Sequence, residues 1–241
     1  MDKNIIVKEL NGNYIVQKSR TLLSASDIEY TTNQLKIIDT YLSCINSRNP
    51  DDDTIIFPLK EYEKLVGIKK METRKVAAWL QTLSTLAITI YGDDGNELDV
   101  LPLFSRLSTK VDSSSGERLV YLKCNKEAKP YLFNLEDNGY VSYRLSNVIS
   151  MKSKHSIHLY QYLKANVYRC KWYISLSNLK EMVLHIKSDS YQNNFKDFRV
   201  NVLDKAIEEI NHETDIDVKY EAVTLGGKVQ DIKFIVSEKQ Q

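Results

Sequence analysis

The chain has 241 residues, of which 42% are hydrophobic and 27% charged, enough for one large domain or two of about 120 residues each. A formal net charge of +1 excludes a protein that coats nucleic acid by bulk charge, but leaves local basic patches open. No stretch approaches the roughly 20 apolar residues that a bilayer-spanning helix needs.

The opening segment, MDKNIIVKELNGNYIVQKSR, alternates polar and apolar residues without a signal-peptide core. Cys44, Cys124 and Cys170 fit neither a metal spacing nor a disulfide framework, so a reducing cytoplasm and core or half-buried thiols are expected. Ile5 and Val7, then Tyr14 and Val16, predict a strand or arm within residues 4–30. Thr31-Thr32-Asn33 caps a helix predicted from Gln34 to about Ser47, with Leu35, Ile38, Leu42 and Ile45 inward. Residues 49–53 read as a loop and 54–57 as a short strand. Pro58 opens the next helix, where its missing N–H costs least. Leu59, Tyr62, Leu65 and Val66 form the buried stripe of that helix, and Gly67 ends it. A third helix, predicted over 72–84, turns Val76, Leu80 and Leu83 inward. Ala87, Ile88 and Ile90 continue as a strand, and Asp93-Asp94-Gly95-Asn96 as a turn. Strands at 98–107 and 118–123 flank a polar loop, 108–117, read as a wing tip. Residues 126–148, broken by Pro130 and Asn138-Gly139, read as a junction.

The second half predicts a helix over 151–167, with Ile157, Tyr160, Leu163 and Val167 inward. A strand at 172–174 and a helix over 176–184 follow, the latter burying Leu179, Met182 and Val183. From Asn193 to His212 there is no Pro or Gly, and Phe195, Phe198, Val202, Ala206 and Ile210 share one helical face. Ile216, Val218 and Tyr220, then Ile232, Phe234 and Val236, alternate as strands about a Gly226-Gly227 turn. Helix, longer helix and hairpin is the order of a winged helix-turn-helix, and residues 31–124 have the same order. FPLKEYEKLV (57–66) and ISLSNLKEMV (174–183) also match in apolar pattern. The expected fold class is α+β, two tandem winged-helix domains, 1–142 and 143–241.

Candidate chemistry is sparse. Around Gly227-Lys228 the phosphate-loop pattern fails, since Val229 follows the lysine and Ala222 stands where the first glycine would. His155 and His158 lack the i, i+4 spacing of helical zinc ligands; surface or DNA-side histidines are the simpler reading. No paired metal-binding histidines accompany the tyrosines, and Glu208-Glu209 reads as a solvated face. No catalytic residue, metal or cofactor is expected. The longer helix of a winged helix enters the major groove chiefly with its N-terminal residues. That selects Tyr191, Asn193, Asn194, Lys196, Arg199, Asn201 and Lys205, with Lys219 and Lys228 on the hairpin as phosphate clamps. On a helical wheel Arg199 falls near the apolar arc. The equivalent set in the first half is Lys69, Lys70, Thr73, Arg74 and Lys75, with Arg106 and Lys110 on the wing.

Three segments carry a more specific likeness: YRLSNVISMKSKHSIHLYQYLK (143–164), FKDFRVNVLDKAIEEINHETDIDVKYE (195–221) and GGKVQDIKFIV (226–236). With Tyr30-Thr31-Thr32-Asn33-Gln34, Leu103-Phe104-Ser105 and LKCNKEAKPYLFNL (122–135), the chain resembles plasmid replication initiators of the iteron-binding, theta-replication type. The resemblance implies two winged-helix domains and binding of origin direct repeats in double-stranded DNA as a monomer. It further implies opening of nearby duplex and recruitment of host replication proteins such as a helicase or initiator. Dimers would repress the initiator's own gene. The C-terminal domain would make the main groove contact, and the N-terminal domain would dimerise and add DNA contacts. The family's basic cluster falls on Lys196, Arg199, Val200 and Asn201, where members often carry consecutive arginines; Val200 and Asn201 depart from that pattern. A tandem winged-helix transcriptional regulator is the alternative, and an enzyme or a protein-only scaffold stand further off.

Overall fold

The chain divides into two units at Ile149/Ser150, and the computed structural model describes residues 7–24, 30–91, 98–136 and 139–239. Ile5, Asn138 and the turn expected at 93–96 lie outside the described residues.

The first unit starts with β1 (Ile15–Ser19) and the short α1 (Arg20–Ser24), followed by α2 (Thr32–Cys44). Thr31 and Gln34 form a reciprocal capping box at the start of α2, which satisfies two otherwise orphaned N–H groups. Only one inward face is expected of α2, yet Gln34, Lys36, Asp39 and Thr40 are buried alongside Leu35, Ile37, Ile38 and Tyr41. Each buried polar group has a partner. Gln34 Nε2 donates to the Thr82 carbonyl at 3.0 Å, and Lys36 Nζ to the Ile149 carbonyl at 2.6 Å. Asp39 accepts from Lys18 Nζ at 3.1 Å and from the Tyr143 hydroxyl at 2.9 Å. The helix is therefore central rather than peripheral.

β2 (Thr54–Pro58), α3 (Leu59–Val66) and α4 (Thr73–Ser84) follow. Gly67, at φ 69°, closes α3 in the left-handed region. β3 (Ala87–Tyr91) and β4 (Leu98–Pro102) form a separate ladder. β5 (Phe104–Val111) and β6 (Arg118–Cys124) complete a three-stranded sheet in the order β2-β6-β5. The single strand expected at 98–107 is thus two. The chain changes sheet at buried Leu103, whose N–H goes to the Leu86 carbonyl at 2.8 Å. The expected loop 108–117 shrinks, because Ser108–Val111 pair with Tyr121–Arg118. The stretch read as a junction holds α5 (Lys129–Leu132), β7 (Tyr140–Arg144) and α6 (Leu145–Ile149). β7 pairs with β1, Val16 facing Tyr143. Residues 143–149 therefore pack with the first unit, and the division falls beyond the expected residue 142.

The second unit opens with α7 (Lys154–Ala165), which buries Ile157, Tyr160 and Leu163. β8 (Lys171–Ser175) leads into α8 (Leu176–Asn178), which continues as a π turn over Leu179–Val183. The wider turn rotates Met182 outward, to 60% exposure, while Leu179, Val183 and Leu184 stay buried; this corrects the expected burial of Met182. α9 (Asp189–Asn193) and α10 (Phe195–Phe198) follow. A second π turn, Arg199–Leu203, joins α10 to α11 (Asp204–Glu213). β9 (Ile216–Leu225) and β10 (Lys228–Glu238) close a sheet in the order β8-β10-β9. In the three-stranded sheet of each unit, β2-β6-β5 and β8-β10-β9, the first strand pairs with the last, which also pairs with the one before it. The matched decapeptides occupy the same strand-to-helix corner in each, while the β3–β4 hairpin sits between the last helix and the wing of the first unit alone among the described residues.

Gly226 and Gly227 have φ of 61° and 80°, the two-residue turn whose twist matches the hairpin. A Cβ on Gly227 meets nothing within 4 Å, so the cost of a side chain there is backbone strain alone. Gly227→Ala is expected to lower unfolding free energy by about 1 kcal/mol in thermal melts. A gain in stability would show that the turn does not need the left-handed residue.

Candidate nucleic-acid interface

In the second unit the long helix starts later than its composition suggests. Asn194 is extended, at φ −123° and ψ 102°, and separates α9 from α10. Its side-chain oxygen accepts from the Asp197 N–H at 3.2 Å and its amide donates to Asp197 Oδ2 at 2.9 Å. Asn194 is a cap. Half-buried Tyr191 and exposed Asn193 sit on α9, not on the long helix that the absence of Pro and Gly predicts from Asn193.

A closed ring of hydrogen bonds fixes the connection that carries α9. Lys180 Nζ donates to the Gln192 carbonyl at 2.9 Å, and Gln192 Nε2 to the Ile186 carbonyl at 2.6 Å. The Ile186 N–H donates to the Lys180 carbonyl at 2.8 Å. Lys180 is 3% exposed, and its ammonium lies 5.0 Å from the centre of the Phe198 ring. Burial pushes its pKa down. Sequence reasoning passed over Lys180, because a lone lysine in an amphipathic helix reads as solvated.

The π turn after Phe198 changes what the helix presents. Its added residue brings Leu203 and Ile207 into the core beside Phe198, Val202, Ala206 and Ile210. Arg199, Val200 and Asn201 emerge together as three consecutive exposed residues, Val200 at 44%. Arg199, placed near the apolar arc by an ideal wheel, is therefore exposed. Its Nε lies 3.7 Å from Asp204 Oδ2, and Asp204 Oδ1 accepts from the Tyr220 hydroxyl of β9 at 2.5 Å. Burial first, and Asp204 second, push the Tyr220 pKa up. Lys196 and Lys205 are exposed on the same helix, Lys219 on β9 and Lys228 at the start of β10. Glu209 corrects the solvated-face reading. Half-buried, it accepts from the N–H groups of Lys152 at 2.6 Å and Ser153 at 3.3 Å, at the start of α7.

In the first unit Lys69 and Lys70 lie in the loop between α3 and α4, and Thr73, Arg74 and Lys75 form the first turn of α4, all exposed. Buried Glu63 holds that loop by accepting from the Met71 N–H at 2.6 Å. Arg106 and Lys110 are exposed on β5, and Lys123 of β6 stands opposite Arg106. Among the described residues, none of Lys69, Lys70, Arg74, Lys75, Arg106 and Lys110 has an acidic partner. The wing tip is different. Hydrogen bonds from Ser114 and Ser115 hold the Asp112 carboxyl at about 2. The positive charge of this wing thus lies on its strands, not at its tip.

The histidines read as surface or DNA-side are half-buried. His155 Nδ1 is 3.2 Å from the Leu184 carbonyl, and the rings of His158 and His185 meet edge-on at 4.9 Å. No group of three or more His, Cys, Asp or Glu side chains among the described residues could hold a metal ion. Cys44 and Cys124 are buried, whereas Cys170, at φ 57° between a helical turn and β8, is exposed. No described helix is long and apolar enough to cross a membrane.

Comparison with known proteins gives two family matches, the first of which runs past the division between the units. The family model described as Initiator Replication protein, WH1, matches residues 15–164, and that described as Initiator Rep protein, WH2, matches 175–236. Comparison with curated proteins finds no match. Among solved structures, the Pi initiator protein in complex with iteron DNA is 21% identical, with a TM-score of 0.75, and the match covers 96% of this chain and 100% of that one. Domains 2-3 of RctB are 12% identical, covering 93% of this chain and 86% of that one at a TM-score of 0.43. Both units have the winged-helix fold.

Proposed function

The chain belongs to the initiator replication protein family, and on that premise we propose that it starts plasmid replication by binding direct repeats of the origin. The observation that carries this reading is the face of α10–α11. Lys196, Arg199, Val200, Asn201 and Lys205 are exposed on a helix whose other side is fully packed. This helix enters the major groove. Arg199 and Asn201 read base edges, while Lys196, Lys205, Lys219 and Lys228 meet phosphates. Tyr191 and Asn193 flank the groove from α9, and Asn194 sets where the helix starts. Lys69, Lys70, Thr73, Arg74 and Lys75 add contacts from the first unit, with Arg106 and Lys110 on its wing. Bound copies strain the adjacent duplex until it opens and recruit the host helicase or initiator. A dimer represses the initiator's own gene. The protein works in the cytoplasm, needs no cofactor and carries no catalytic activity of its own.

The test is a titration of the full chain against the origin repeats and against a scrambled duplex, at two salt concentrations. Preferential, stepwise binding to the repeats is expected, with log affinity falling by about 0.9 per phosphate contact for each unit of log salt. Equal binding to both duplexes would sink the reading. Arg199→Ala is expected to lower affinity for the repeats by roughly 1–3 kcal/mol and leave scrambled binding nearly unchanged. Unchanged affinity with a lower melting temperature would mark Arg199 as structural.

A further inference from the structure

We infer that Asp204, held by Tyr220, is a positioning residue that presents the terminal nitrogens of Arg199 to one guanine of the target. The inference rests on the reading that α10–α11 faces the major groove. Asp204 approaches Arg199 from the Nε side, 3.7 Å away. Engaged there, the guanidinium keeps its two terminal nitrogens free to point away from the helix. Guanine offers two acceptors, N7 and O6, spaced for that planar fork, whereas adenine offers one acceptor and one donor. An arginine left unguided would sample many rotamers and lose more entropy on binding. Tyr220 supplies the guide's rigidity: its hydroxyl, on β9, donates to the other oxygen of Asp204 at 2.5 Å. The wing strand thereby holds the carboxylate, and its charge draws the Nε edge of the half-exposed Arg199 toward it, an ion pair without a direct hydrogen bond.

Asp204 is about half exposed, at 46% of its side chain, within a stretch bearing Lys196, Arg199 and Lys205 but also Asp197, Glu208 and Glu209. A negative charge beside phosphates lowers affinity for every sequence alike. It lies in the middle of the continuous run from α10 to α11, so it gains nothing from the helix dipole, which acts only in the terminal turns. Improved discrimination by Arg199 offsets that cost.

The probe is a duplex selected by the wild-type full chain from a random-sequence pool, with each guanine replaced in turn by 7-deazaguanine, which lacks the N7 acceptor. Wild type is expected to lose about tenfold in affinity at one guanine, and Arg199→Ala to be insensitive there. Asp204→Ala and Tyr220→Phe are each expected to shrink that penalty to about threefold or less, leaving penalties at other guanines unchanged. Asp204→Asn, which keeps an acceptor for Tyr220, should fall between. In the Arg199→Ala background, Asp204→Ala should change nothing further at this position. A penalty that persists in full in both Asp204→Ala and Tyr220→Phe overturns the inference. So does tighter binding of Asp204→Ala to all duplexes with undiminished discrimination, the mark of simple repulsion. Selection of a sequence with no sensitive guanine defeats the inference and leaves the proposed function standing; failure to select any sequence defeats both.

Discussion

Asp39→Ala is expected to destabilise the first winged helix by about 3–5 kcal/mol, the usual cost of removing one partner from a buried ion pair. The Lys18 and Asp39 side chains are 4% and 0% exposed, with 3.1 Å between Nζ and Oδ1. The Tyr143 hydroxyl takes the second carboxylate oxygen at 2.9 Å. One carboxylate therefore joins β1, α2 and β7, elements far apart in the chain. Alanine removes the counter-charge from a buried ammonium and the acceptor from a buried phenol at once. Lys18→Met and Asp39→Leu together with Tyr143→Phe should recover most of the loss, since apolar replacement of a whole buried pair and its hydrogen-bond partner is often neutral. Urea unfolding followed by Trp79 fluorescence, with Trp172 replaced by Phe, isolates this unit. A loss below about 1 kcal/mol, the range of exposed pairs, would show that the pair is not dry.

The same cluster shows where the sequence is legible and where it is not. Capping at Thr31, the Pro58 start and Gly67 end of α3, the Gly226-Gly227 hairpin and the two-fold repetition of strand, helix, helix and wing were all readable from local residue chemistry. The surroundings of α2 were not. Lys36 and Asp39 look like a solvated face until partners more than a hundred residues away, the Ile149 carbonyl and Tyr143, come into contact with them. Pairing between β1 and β7 is equally non-local, which is why residues 143–149 looked like part of the second unit. The candidate interface was legible as a set of residue types, but not as a geometry. Its π turn has no sequence marker, because the residues from Phe198 to Leu203 suit an ordinary helix as well. With one added residue in that turn, Arg199 stands outside the apolar arc, exposed beside Val200 and Asn201.

Phe198→Ala should be among the most damaging single changes in the second unit, at about 3–5 kcal/mol for a large cavity in a fully buried site. Phe198 is 0% exposed and is the last residue of α10, immediately before the π turn. Its ring contacts Phe195, with 6.4 Å between centroids, and lies under the Lys180 ammonium. Truncation removes that aromatic face from a buried cation, a contact worth about 0.5–2 kcal/mol, and loosens the ring of hydrogen bonds through Gln192 and Ile186. The consequence for binding resembles that of Arg199→Ala but arises from lost packing beneath the helix rather than from a lost base contact. No charge is lost, so affinity for a scrambled duplex and its salt dependence should survive in the folded fraction. Preference for the repeats should fall, because Arg199, Val200 and Asn201 no longer leave the helix in one fixed arrangement. Phe198→Leu keeps most of the volume and should cost less, about 1–2 kcal/mol, with the preference largely retained. Melting curves beside titrations at a temperature where each variant is folded separate the two effects. If Phe198→Ala melts lower but still discriminates as wild type does, the π turn holds its shape without the packing beneath it, and specificity belongs to the exposed side chains alone.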